Sequence, residues 1–207
     1  MRLAKYGLQL SLAAFVAICT SRMLESHAQT PDPNASIRVS PAELFTGELK
    51  RLEPHLGLIS TGCFKVDYDG PELMLKSQVQ VWRDGNPNPP GGSSTRITGP
   101  CEVSISVREV CEPKGMTKYE VTVAVSSKSG RTFDKVRYDL PELTGEGELK
   151  FRHTTSLVQP VSVHGDKPVP VWGFAQGRGS IPGTADLLEE MAKRAEWALV
   201  LKLSMDK

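Results

Sequence analysis

The feature that most constrains this chain is a repeated two-residue alternation of apolar and polar side chains. Phe64, Val66 and Tyr68 alternate with Lys65 and Asp67, and Val103, Ile105 and Val107 with Ser104 and Ser106. Tyr119, Val121, Val123 and Val125 alternate with Glu120 and Thr122, while Leu73, Leu75, Val79 and Val81 share another face. In extended backbone, successive side chains point to opposite sides. The pattern therefore specifies strands with one buried and one wet face, the mark of antiparallel sheet. Ser127-Lys128-Ser129-Gly130 reads as a hairpin connection into 131–138, with further strands expected near 147–153, 157–164 and 167–174. About eight short strands with few helices predict a mainly β fold, an antiparallel β-sandwich-like domain.

Helices are expected only towards the ends. Ser40-Pro41-Ala42-Glu43 has the form of a capping box, and Phe45, Leu49 and Leu52 would share one face of a short N-terminal helix over 41–53. Near the C-terminus, Thr184 can cap a helix with Asp186, Glu189 and Glu190 early and Lys193 and Arg194 late, matching the helix dipole. Trp197, Leu199, Leu201 and Leu203 then alternate as a strand. Residues 84–99 hold four glycines and three prolines and are expected to be an irregular loop.

The N-terminus bears on the compartment. Arg2 and Lys5 precede an apolar run from Leu8 to Cys19, and Ser26-His27-Ala28 follows. This is the form of a secretory signal, with a run of about 18 Å as helix, too short for a hydrocarbon core of about 30 Å. The expected organisation is a signal peptide 1–28, a linker 29–39 and a single β-rich domain 40–207, secreted or periplasmic. Removing 28 of the 207 residues would leave 179, without Arg2, Lys5, Arg22 and Glu25. That turns 25 cations and 24 anions into 22 and 23, and +1 into −1. Such a balance argues against nucleic-acid binding by bulk electrostatics, and no later apolar stretch is long enough to span a membrane.

In an oxidising compartment the remaining cysteines, Cys63, Cys101 and Cys111, become disulfide candidates. Cys101 and Cys111 bracket one strand and would lie about 33 Å apart. Cys63 with Cys101 or Cys111 is the expected bridge, Cys63–Cys101 being the pair assigned, worth about 3–4 kcal/mol.

Lys65–Leu73 (KVDYDGPEL) matches Lys135–Leu143 (KVRYDLPEL) at seven of nine positions. The match suggests an internal duplication of a strand–turn–strand unit. The carboxylates of the two turns, Asp69 with Glu72 and Asp139 with Glu142, are better explained by turn formation than by calcium binding.

No arrangement of residues carries catalytic chemistry on spacing alone. Gly177-Arg178-Gly179-Ser180 lacks the GxSxG form, the glycine-rich stretch 173–183 has neither P-loop nor dinucleotide-binding spacing, and no zinc-type spacing occurs. No catalytic residue, metal ligand or cofactor is assigned. Trp82, beside Arg83 and Asp84, lies on the polar side of its strand with Gln78 and Gln80. Trp82, Arg83 and Asp84 are the candidate ligand-binding residues, with the Trp82 indole as a stacking platform for a carbohydrate or a cell-envelope protein. The expected function is thus a secreted or periplasmic non-catalytic binding or structural protein. The alternative is a secreted hydrolase or metal-dependent enzyme using His153, His164 and Asp166 as a two-histidine, one-carboxylate set.

Overall fold

A computed structural model describes residues 36–113, 117–128, 130–139, 150–178 and 188–206. The alternating segments form two antiparallel sheets. The first contains β1 (Ser36–Ala42), β2 (Leu58–Asp67), β6 (Cys101–Cys111), β7 (Thr117–Ser127), β8 (Gly130–Asp139) and β10 (Val161–His164), in the order β10-β1-β2-β6-β7-β8. The second contains β3 (Leu73–Arg83), β4 (Asn86–Pro87), β5 (Gly91–Ile97), β9 (Lys150–Ser156), β11 (Val169–Arg178) and β12 (Trp197–Asp206). Its order is β4-β3-β12-β11-β9, with β5 also pairing β3. The inward faces meet in one core, with Phe64, Val66, Val103 and Tyr119 from the first sheet against Leu75, Trp172, Phe174 and Leu201 from the second. This is the sandwich-like arrangement that the alternation demands.

A helix α1 (Leu188–Arg194) precedes β12, as expected at the C-terminal end, while its proposed cap Thr184 lies outside the described residues. Leu188, Met191 and Ala192 face the outside of the second sheet, where Gly173, Ala175 and Ala198 make a low floor. The floor has to be low: a Cβ on Gly173 would lie 2.7 Å from Met191 Cε.

Several expectations need correction. Ser36–Val39, assigned to the linker, are strand, because Ile37 and Val39 alternate into the core. Ser40–Ala42 continue that strand instead of starting a helix. Pro41 is tolerated because β10 pairs only Ser36–Val39, leaving β1 a single neighbour at that point. The helix that does form nearby is a 3-10 helix, Gly47–Leu56, with Leu49, Leu52 and Leu56 exposed.

Residues 84–99 are also more ordered than glycine and proline content implies. Asp84 and Gly85 both have positive φ, 48° and 74°, and Arg83 pairs Asn86, the geometry of a two-residue hairpin turn. Gly91–Ile97 then pairs with Leu73–Val79. A Cβ on Gly92 would lie 2.0 Å from the Ser77 carbonyl oxygen, so glycine is what allows this strand to dock.

The expected Cys63–Cys101 disulfide is not formed. Cys63 pairs opposite Ser104 and Cys101 opposite Val66, three residues away along the ladder. That is about 10 Å along the strand, beyond the roughly 7 Å a disulfide tolerates. An odd offset also puts them on opposite faces: Cys101 points inward with Val103, and Cys63 points outward. Cys111 lies farther still from Cys63, about 23 Å along β6 from Ser104. Burial raises the pKa of both buried thiols, that of Cys101 to about 11, so both are neutral at pH 7. We expect a maleimide to label Cys63 and Cys101 only after denaturation, and reductant to leave Tm unchanged. A cross-linked Cys63–Cys101 peptide in a non-reducing digest would contradict this.

The duplication stays a sequence observation. Lys65–Asp67 end β2 and Lys135–Asp139 end β8, two strands of one sheet, but residues 140–143 lie outside the described residues. The matched valines have different fates: Val66 is in the core, whereas Val136 is half-exposed on an edge strand. The signal-peptide segment also lies outside the described residues.

Candidate functional site

Trp82 does point away from the core shared by the two sheets, as its position among Gln78 and Gln80 implies. It is not a platform, however: it is only 5% exposed, packed beneath α1 with Met191, Ala192 and Ala195. Arg83 and Asp84 are exposed at the β3–β4 turn, where the Asp84 amide donates to the Glu196 carbonyl at 2.8 Å. The three residues thus serve a helix contact and a turn. The helix that covers Trp82 is more than a hundred positions later, so no local pattern around Trp82 announces it.

The histidines are not gathered either. His153 is on β9 of the second sheet opposite Ala175, and His164 is on β10 of the first sheet opposite Ser36, with Asp166 in the turn that follows. Among the described residues no group of three His, Cys, Asp or Glu side chains is placed to hold a metal ion.

What the fold does build is a cleft of about 430 Å³ between the two sheets, on the side where β8 lies over β3 and β5. Val121 and Val123 of β7 and Val136 and Tyr138 of β8 form one wall, and Val79 and Val81 of β3 form the other. Ser77, Asp134 and Lys135 add polar groups, and Pro89, Gly91 and Gly92 complete the lining. Its size falls in the range of small-molecule sites, about 300–1,000 Å³, and such sites combine apolar walls with a few polar groups.

The cleft has a local cause. Residues opposed in an antiparallel pair share a face, so Gly91, opposite Val79, sits where a side chain would enter the space between the sheets. A Cβ built there meets nothing within 4 Å. Near the β7–β8 hairpin the sheets are tied by a hydrogen bond of 2.9 Å between the Thr95 and Thr132 hydroxyls. Burial raises the Tyr138 pKa, so the cleft holds a neutral phenol.

On the outer face of the same strands lies a buried carboxylate. Glu120 is 1% exposed, covered by three cationic side chains that are themselves about half-exposed. Arg108 Nε donates to Glu120 Oε1 at 2.8 Å and Arg137 Nε donates to Oε2 at 3.1 Å. Lys135 Nζ lies 3.3 Å from Oε1. Burial pushes this carboxyl up, but the hydrogen bonds from Arg108, Arg137 and Lys135 outweigh it and hold the pKa down at about 2.

None of these groups stands out in sequence except as ordinary strand residues. The alternation does imply that Val121, Val123 and Val136 face inward. Which of them lack a facing side chain depends on strand order. Comparison with known proteins finds no family model, no curated protein and no solved structure that matches the chain.

Proposed function

We propose that this protein is an exported, secreted or periplasmic, non-catalytic binding module that takes an apolar ligand in the cleft between its sheets. The observation that carries this reading is the cleft itself, valine-walled, open to solvent at Val136, and kept vacant by Gly91. Export is supported by the charged, apolar and small-residue sequence of the first 28 residues. The hydrolase alternative gains no support from the positions of His153, His164 and Asp166, and the Trp82 platform none from its burial.

The test is to fill the cleft. Gly91→Leu adds a side chain where a Cβ meets no atom and where φ is not in the left-handed region, so the fold is expected to tolerate it or gain stability. N-phenyl-1-naphthylamine, an uncharged fluorescent probe, is expected to bind the wild-type protein saturably. Gly91→Leu should weaken that binding by about tenfold or more, equivalent to about 1.4 kcal/mol, without lowering Tm. Equal binding by both proteins would place the probe elsewhere and overturn the reading.

A further inference from the structure

The strand above the cleft is also the end of its sheet. Among the described residues β8 pairs only with β7, so a ten-residue strand presents its other side unpaired. Proteins usually blunt such an edge, because open amides and carbonyls template another strand. This edge carries charges, Asp134 on the cleft side and Arg131, Lys135 and Arg137 on the outer side, but also large apolar groups: Phe133 is 68% exposed and Val136 is 47% exposed. The Ser127–Gly130 pair closes a two-residue connection, and a closing pair of this kind exchanges both backbone bonds. It follows that Phe133, Lys135, Arg137 and Asp139 turn their backbone groups to the open side. Thr132 is tied to Thr95 of β5, which leaves the stretch from Phe133 onward as the accessible edge.

We propose that this edge, together with the cleft beneath it, docks an extended segment of a partner protein with alternating apolar and acidic residues. The inference rests on the cleft reading above and adds the class of occupant. A strand added to β8 continues the pleat, so every second side chain would enter the space beside Val136 and Tyr138. The intervening side chains would emerge beside Arg131, Lys135 and Arg137. The outer faces of β7 and β8 hold Lys118, Arg131, Lys135 and Arg137 against Glu120 and Asp139, an excess of two cations. Acidic residues on the incoming strand satisfy that excess.

A second copy of β8 fits less well. Antiparallel self-pairing centred on Asp134 sets Arg131 opposite Arg137, and centring on Lys135 sets that residue opposite itself. Centring on Val136 sets Lys135 opposite Arg137. Like charges directly opposed destabilise a strand pair.

The experiment uses the full chain and a fluorescent short peptide of alternating glutamate and valine, with a lysine–valine peptide as control. Anisotropy is expected to show binding of the acidic peptide, at least about tenfold tighter than the basic one, and displacement of N-phenyl-1-naphthylamine by it. Phe133→Pro removes one edge amide and leaves the β7–β8 ladder intact. It should weaken the peptide about tenfold while probe binding persists, which also verifies the fold. Arg131→Glu, at an exposed position, should weaken the acidic peptide about threefold or more. Probe binding without peptide binding would sink the edge proposal and spare the cleft. Loss of both would sink both. Dimerisation of the wild-type protein that Phe133→Pro abolishes would overturn the proposal in favour of a second copy.

Discussion

Replacing Trp172 with alanine is expected to cost about 3–5 kcal/mol of folding stability, read as a lower midpoint in urea at unchanged slope. Trp172 is fully buried where the two sheets meet, at a point where the β11–β12 register shifts. Its indole Nε1 donates to the Thr61 carbonyl of β2 at 3.0 Å, a direct hydrogen bond from one sheet to the other. The indole fits because residue 62 is glycine: a Cβ there would lie 2.5 Å from Trp172 Cδ1 and 3.1 Å from Ile105 Cγ2. Alanine at 172 would leave a large cavity and remove the hydrogen bond to Thr61 together. Trp172→Phe keeps most of the volume and loses the hydrogen bond, so it should cost less, about 1–3 kcal/mol. A loss below about 1 kcal/mol for alanine would show that the sheets do not depend on this contact.

The second large effect is at Glu120. Its carboxyl titrates at about 2 in the folded protein, against an ordinary value of 4.5. A lowered folded pKa means that the unfolded chain takes up the proton more readily. The stability it contributes is therefore complete above about pH 4.5 and is lost as pH falls towards 2. Glu120→Gln keeps the shape but leaves Arg108, Lys135 and Arg137 facing one another without their shared anion. Because those cations are about half-exposed, water screens part of the loss, which we expect to be about 1–3 kcal/mol at pH 7. The signature is in the pH profile: wild type and variant should differ at neutral pH and converge only as pH falls to about 2. A constant difference across that range would show that packing, and not charge, sets the cost.

Most strands could be read directly from the chain, because alternation is local. Val103, Ile105 and Val107 alternate with serines, and that suffices to place β6. The helix-to-strand change near residue 195 was legible for the same reason, as the apolar period shifts from that of Leu188, Met191 and Ala192 to that of Trp197, Leu199 and Leu201. The misleading signals were those judged by residue type without their neighbours. The capping-box residues at 40–43 lost to Ile37 and Val39, whose burial draws the chain into a sheet. Gly91 and Gly92 looked like strand breakers, yet β3 supplies a ladder that a glycine backbone can approach closely. Asp84-Gly85 is itself a hairpin signal, hidden inside the glycine- and proline-rich stretch around it.

The sequence by itself determined that the chain forms strands with one apolar face, and therefore that those faces must close on one another. Tertiary structure alone decided which strand lies at the edge, which cysteines share a face, that a helix covers Trp82, and that the residue facing Val79 is a glycine. The physical reason is range. Side-chain alternation is set by each residue's own backbone, whereas an edge, a cover or a vacancy exists only relative to a segment far along the chain. The cleft is such a vacancy: β3, β5, β7 and β8 all border it, and no one of them encodes it alone.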